Sequence, residues 1–139
     1  MAPFPNHSPT SLSLGPLESE ILGILWHLEA GTVREIHELI LADPDRELAY
    51  PSVTTVLNRL AKKGWVQCDR QAQAFIWRPL ISEHEAQVLQ AQQHLKDFLK
   101  VSHPDIVATF IESLDEASLA QLDAISAQIK AAREAKQDP

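Results

Sequence analysis

The chain is expected to adopt a mainly α fold with one small β-hairpin, on three observations. Apolar residues recur at helical spacing through three successive segments between Leu17 and Leu60. The period then shortens to two over residues 65–79, which are aromatic and β-branched. From Ser82 onward the helical period returns in three further segments.

Each element has its own signals. Residues 1–13 are rich in Pro, Ser and Asn without periodicity and are expected to be a disordered tail. Gly15-Pro16 opens the first helix, since Pro suits the first helical position. Leu17, Ile21, Ile24, Leu25 and Leu28 form its inward stripe, Trp26 adds bulk, and Gly31 ends the segment. Thr32 and Glu35 have the spacing of a capping box, so a second helix runs to about Ala42 with Val33, Ile36, Leu39 and Ile40 inward. A polar connection containing Pro44 follows. Pro51 starts the third helix and Gly64 stops it. Residues 65–70 and 75–79 read as two strands joined by Gln71-Ala72-Gln73-Ala74. Three helices and a hairpin within residues 14–80 make a winged helix-turn-helix domain.

Beyond that domain, Ser82 and Glu85 form a second capping box for a helix to about Lys100, with Val88, Ala91, Leu95 and Leu99 on its apolar side. Pro104 begins a short helix carrying Ile106, Val107, Phe110 and Ile111. Asp115 caps a last helix with Leu119, Leu122, Ile125 and Ile129. These stripes are too narrow to close a separate globule, so residues 81–139 are expected to be a helical dimerisation region. Its contacts are assigned to Val88, Leu95, Leu99, Ile106, Phe110, Leu119, Leu122, Ile125 and Ile129. A homodimer would present two third helices, as a palindromic duplex site requires.

The third helix is the most informative. Val53, Val56, Leu57 and Leu60 make one inward stripe; at about 100° per residue the opposite face carries Pro51, Thr55, Asn58 and Lys62, flanked by Thr54 and Arg59. That face has hydroxyls, an amide and cations, and no acid. Short donors and acceptors backed by Arg and Lys are what base edges and phosphates in a major groove require. A surface helix with chance charge bias is the plain alternative.

Charge distribution supports the first reading. The chain carries −7 overall, yet residues 46–80 hold six bases against two acids, a net of +4. Distant acids are largely screened, because the Debye length is about 8 Å at physiological salt. The single cysteine, Cys68, excludes an internal disulfide framework and fits a reducing cytosol. With no basic, apolar leader in the first thirteen residues and no apolar run long enough to span a bilayer, a cytoplasmic protein without membrane insertion is expected. No nucleophile–base motif, phosphate loop or zinc signature appears, so neither an enzyme nor a cofactor is expected.

Several motifs together resemble the penicillinase-repressor family, which includes methicillin-resistance and copper-responsive repressors. They are Leu14-Gly15-Pro16-Leu17-Glu18 with Ile24-Leu25-Trp26, the run from Tyr50 through Leu60, Lys62-Lys63-Gly64-Trp65-Val66, and Phe75-Ile76-Trp77-Arg78-Pro79. The resemblance implies a dimeric repressor of transcription on a palindromic promoter site. It places base contacts on Ser52, Thr54, Thr55 and Arg59, and phosphate contacts on Lys62, Lys63 and the wing around Arg70. An inducing sensor or protease would be a further partner. Members similar to penicillinase repressor are inactivated at an Asn-Phe bond, where this chain has Thr109-Phe110. The copper branch carries paired Cys-x-Cys motifs, where this chain has only Cys68.

The expected DNA-binding set is therefore Pro51, Ser52, Thr54, Thr55, Asn58, Arg59, Lys62, Lys63, Arg70 and Arg78. Arg59 suits a guanine, whose O6 and N7 its planar fork can meet together; a surface Arg paired with a nearby acid is the alternative. Lys62 and Lys63 suit phosphates, or serve only as partners of the helix dipole. Thr54 and Thr55 suit a thymine methyl or phosphate, or merely fill the helix. The wing tip offers amides rather than cations, leaving Arg70 and Arg78 most of its phosphate work. About four contacts per chain give a dimer a log-affinity against log-salt slope on the order of −5 to −8. Cys68 alternates with Val66 and is expected to point inward as a small hydrophobe, redox or metal sensing being the alternative. His84, His94 and His103 read as solvated, with a cluster across a dimer as the alternative. The rivals to a repressor are a winged-helix protein-interaction module and a metal- or redox-sensing variant.

Overall fold

The computed structural model describes residues 7–71, 74–101 and 103–137, with the backbone alone for Gln71. Residues 1–6 of the expected tail and Ala72-Gln73 of the wing tip lie outside the described residues. The order is α1 (Pro16–Leu28), α2 (Val33–Leu41), α3 (Tyr50–Lys63), β1 (Val66–Gln71), β2 (Ala74–Pro79), α4 (Glu83–Lys100), α5 (Pro104–Glu112) and α6 (Glu116–Gln137). The chain divides into two compact units, Met1–Leu95 and Lys96–Pro139.

In the first unit the three helical stripes meet around one core. The third stripe is as expected: Val53, Val56, Leu57 and Leu60 are all buried. In α1 the buried set is Ile21, Leu22 and Leu25, with Leu17, Ile24, Trp26 and Leu28 packed partly against them. Leu22 joins a stripe whose expected members did not include it. In α2, Ile36 and Ile40 are buried but Leu39, expected inward, is 47% exposed. At 100° per residue Leu39 sits about 80° from the midpoint of Ile36 and Ile40, at the edge of the stripe.

Local caps fix the helix ends. The Thr32 hydroxyl accepts the Glu35 N–H at 3.2 Å while Glu35 Oε1 accepts the Thr32 N–H at 3.1 Å. The same reciprocal pair forms between Ser82 and Glu85. Gly64 takes φ +87° at the end of α3, where the Trp65 N–H reaches the Leu60 carbonyl and the Gly64 N–H that of Ala61. This is a Schellman closure, which favours glycine at the left-handed position.

Gly31, expected to end the first helical segment, lies two residues beyond the C-cap of α1. The helix ends at Leu28, and Glu29 itself takes φ 68°. Gly31 instead pairs with Trp77, exchanging both backbone hydrogen bonds at 3.0 and 2.8 Å. A Cβ there would lie 3.0 Å from Leu28 Cδ1, a tight contact to which the end of that side chain would have to yield. This bridge ties the connection before α2 to the hairpin, where β1 and β2 run antiparallel from Val66↔Pro79 to Gln71↔Ala74. Gln71 and Ala74 thus belong to the strands, not to the connection.

Residues 7–13, expected as part of a disordered tail, are an ordered strap across the end of α3. Thr10 N–H donates to the Lys63 carbonyl at 2.8 Å, His7 Nε2 lies 2.7 Å from the Gly64 carbonyl, and Trp65 Nε1 donates to the Ser11 carbonyl at 2.9 Å. Pro9 is buried and Leu12 packs against the core. The core also continues past Leu80, the expected domain boundary. Ile81, Ala86 and Leu89 are buried in it, and Trp26 Nε1 donates to the Ile81 carbonyl at 2.9 Å.

In the second unit no described residue is buried. Phe98 and Phe110 have ring centroids 5.4 Å apart. Asp115 caps α6 as expected, its Oδ1 accepting the Ser118 N–H at 2.7 Å; hydrogen bonding from the Ser118 side chain, and then from its N–H, holds the carboxyl below the ordinary value. No described helix is long and apolar enough to cross a membrane.

Candidate nucleic-acid interface

Burying Val53, Val56, Leu57 and Leu60 turns the remaining sides of α3 outward. Pro51, Thr55, Asn58, Arg59 and Lys62 are exposed, and Ser52 and Thr54 are half-buried at the margins. The hydroxyl of the exposed Thr55 donates to the Pro51 carbonyl at 3.1 Å. Arg59 and Lys62 form no ion pair with any described acid. The outer face of α3 is thus a strip of hydroxyl, amide and cationic groups without a carboxylate of its own.

The structure separates the basic residues of this region into two groups. Arg46 makes a two-pronged pair with Glu20 at 2.6 and 2.8 Å. Lys63 pairs with Glu18 at 2.9 Å, and Arg78 with Asp69 at 2.6 Å. Arg59, Lys62 and Arg70 are the cations that carry no such pair among the described residues. Arg70 lies 5.5 Å from the centre of the Phe75 ring, a cation–π arrangement on the hairpin. The expected phosphate contacts at Lys63 and Arg78 therefore have carboxylate partners inside the fold.

Sequence reasoning missed those partners for different reasons. Asp69 and Arg78 share one face, because Arg78 pairs in register with Gln67 and Asp69 lies two residues on. Drawing the hairpin register would have found that pair. Glu18 is 45 residues from Lys63 along the chain, and no local spacing signals it. Burial opposes ionisation of Glu18, but the Gly15 N–H, the Lys63 ammonium and the more distant charge of Arg59 outweigh it and hold the carboxyl below its ordinary value.

Of the residues expected to dimerise, Val88 and Leu119 are half-buried. Leu95, Leu99, Ile106, Phe110, Leu122, Ile125 and Ile129 are 42–57% exposed. Cys68 is half-buried and packs against the core beside Val66, as expected. Thr109 and Phe110 lie within α5, with the Thr109 hydroxyl donating to the Asp105 carbonyl at 3.0 Å. Among the described residues, no three His, Cys, Asp or Glu side chains group to hold a metal ion.

Comparison with known proteins bears on this arrangement. The sequence profile described as penicillinase repressor matches residues 14–131. The transcriptional regulator BlaI of Mycobacterium tuberculosis is 42% identical over 73 residues, covering 52% of this chain and 51% of that protein. The chain thus spans about half the length of that curated relative. The solution structure of the DNA-binding domain of the repressor BlaI superposes with TM-score 0.47 at 22% identity, covering 56% of this chain and 93% of that one. The complex structure of hsRosR-S1 gives 0.49 at 18% identity, covering 86% and 94%.

Proposed function

The chain belongs to the penicillinase repressor family, and from that premise we propose that it is a DNA-binding transcriptional repressor acting as a homodimer on a palindromic promoter operator. The observation that carries the reading is the outer face of α3: donors, acceptors and uncommitted cations on a helix whose opposite side is wholly buried. Such a helix is rigidly presented, which base reading in a major groove requires. The relative described as a transcriptional regulator supports the same reading.

Within this proposal Arg59 reads a purine, most simply a guanine through O6 and N7. Ser52, Thr54, Thr55 and Asn58 supply short contacts, with Pro51 fixing the entry of the helix. Lys62 and Arg70 neutralise phosphates. Two phosphate-neutralising cations per chain place the salt slope of a dimer at about −3.6, shallower than the expected range. Dimerisation follows from the helices of residues 81–139, whose apolar side chains at Leu95, Ile106, Phe110, Leu122, Ile125 and Ile129 are about half exposed in the single chain. A second copy supplies matching stripes, and joining two half-site binders raises the effective concentration of the second. Repression is then steric, by occupancy of the promoter.

Sedimentation at micromolar concentration with gel retardation in dilute buffer tests both parts. The expected result is a two-chain species that retards its own upstream duplex. Monomer alone would remove the dimer. A dimer without retardation, even in dilute buffer, would remove the repressor and favour a protein-interaction module.

A further inference from the structure

The end of α3 is fastened more heavily than helix closure requires. The Schellman hydrogen bonds already satisfy the Leu60 and Ala61 carbonyls. The carbonyls of Lys63 and Gly64, further on, meet the strap: Thr10 through its N–H at 2.8 Å and its hydroxyl at 3.2 Å, and His7 Nε2 at 2.7 Å. In return the strap offers the Ser11 carbonyl to Trp65 Nε1 and the Ser13 carbonyl to Lys63 Nζ, both at 2.9 Å. Gly64 leaves room for it, since a Cβ there would lie 3.3 Å from Pro9 Cα.

Lys63 is the centre of this arrangement. An ammonium has three donors. Here it donates to Glu18 Oε1 at 3.0 Å and to the Ser13 carbonyl at 2.9 Å, while Glu18 Oε2, 2.9 Å away, is in ion-pair contact but accepts no hydrogen bond. Its charge is matched by Glu18, and two of its donors are engaged within the fold. Glu18 is itself anchored at the start of α1 by the Gly15 N–H at 3.0 Å, and its side chain is only 12% exposed. One lysine therefore joins α3, α1 and the strap.

We infer that residues 7–13, Glu18 and Lys63 form a latch that fixes the last turn of α3, so that Lys63 is a positioning residue for the DNA-reading face and not one of its phosphate contacts. The inference rests on DNA reading by α3 as proposed above. Arg59 and Lys62 lie close to Lys63 on the same helix, so the latch sets the orientation in which they reach the duplex.

The sign of one substitution separates the latch from simple electrostatics. Removing an acid near a DNA-binding face ordinarily strengthens binding. Glu18→Gln in the full chain is expected to weaken it instead. Lys63→Met is expected to weaken binding on the order of three- to tenfold at every salt concentration, with the salt slope unchanged. Lys62→Met serves as the contrast: its dimer slope becomes shallower by about 1.8, because each chain then neutralises one phosphate fewer, at about 0.9 apiece. The Trp65 indole resonance and amide exchange over residues 60–65 are read in parallel without DNA. Both are expected to change in Glu18→Gln and Lys63→Met and to stay fixed in Lys62→Met. Tighter binding by Glu18→Gln, or a Lys63→Met slope as shallow as that of Lys62→Met, would overturn the inference. Unchanged Trp65 and exchange signals in Lys63→Met would do the same. If the unaltered chain binds no duplex, the DNA reading fails alone, and the indole and exchange signals still decide the latch.

Discussion

The same helical patterning runs on both sides of Leu95, yet only the first unit buries it. In Met1–Leu95 the stripes of α1, α2 and α3 converge on Trp65 and Leu57, both wholly buried. In Lys96–Pro139 the stripes of α5 and α6 contain no buried residue among those described. A 3.6-residue period announces that a helix has an inward side; it does not announce which chain supplies the other side. The first unit answers from within, while the second is proposed to be answered by a second copy.

The largest expected effect tests that contrast directly. Trp65→Ala should lower the unfolding free energy of the first unit by about 3–5 kcal/mol in urea titrations, through poorer packing and removal of the Ser11 hydrogen bond. Phe110→Ala should leave that transition in place and instead raise the concentration at which sedimentation shows two chains. Were Phe110→Ala to shift the urea midpoint as far as Trp65→Ala, the two units would not differ in the way described.

Next in size is the reading face. Arg59→Ala should cost about 1–3 kcal/mol per base contact in duplex affinity and relax preference at one position of each half-site. Equal weakening across all sequences would instead make Arg59 a phosphate contact. A smaller effect is expected at the caps. Thr32→Ala should destabilise the first unit by about 1 kcal/mol, measured by thermal unfolding, because it strands the Glu35 N–H.

Acid offers the finest comparison. Glu18 in the first unit and Asp115 in the second both have carboxyls held below their ordinary values. A value lowered by folding means the folded chain binds fewer protons in that range. The stabilisation is therefore complete above the ordinary values of 4.5 and 3.8 and is lost as pH falls through the lowered ones. Glu18→Gln should flatten this acid limb for the first unit, and Asp115→Asn should leave that limb untouched.

Much of this is legible in the residues. The buried stripe of α3, both capping boxes and the Gly64 stop follow from short-range spacing, where geometry depends on neighbours three or four residues away. Leu39 misleads because a stripe has edges, and its place there leaves it half in water. The strap gives no signal, since residues 7–13 carry no period and find their partners about fifty residues on, at Lys63, Gly64 and Trp65. Lys63 itself resembles a phosphate contact for the same reason: local charge is visible in the sequence and its distant acid is not. Ala86 and Leu89 are hidden because the wider stripe of Val88, Leu95 and Leu99 on the same helix dominates the pattern.

Selection of bound duplexes from a random pool, with Arg59→Ala alongside, tests the central claim most directly. The intact chain should enrich a two-fold symmetric site, and Arg59→Ala should lose one position of each half while keeping the symmetry. An unbiased pool from the intact chain would contradict the claim that α3 reads DNA.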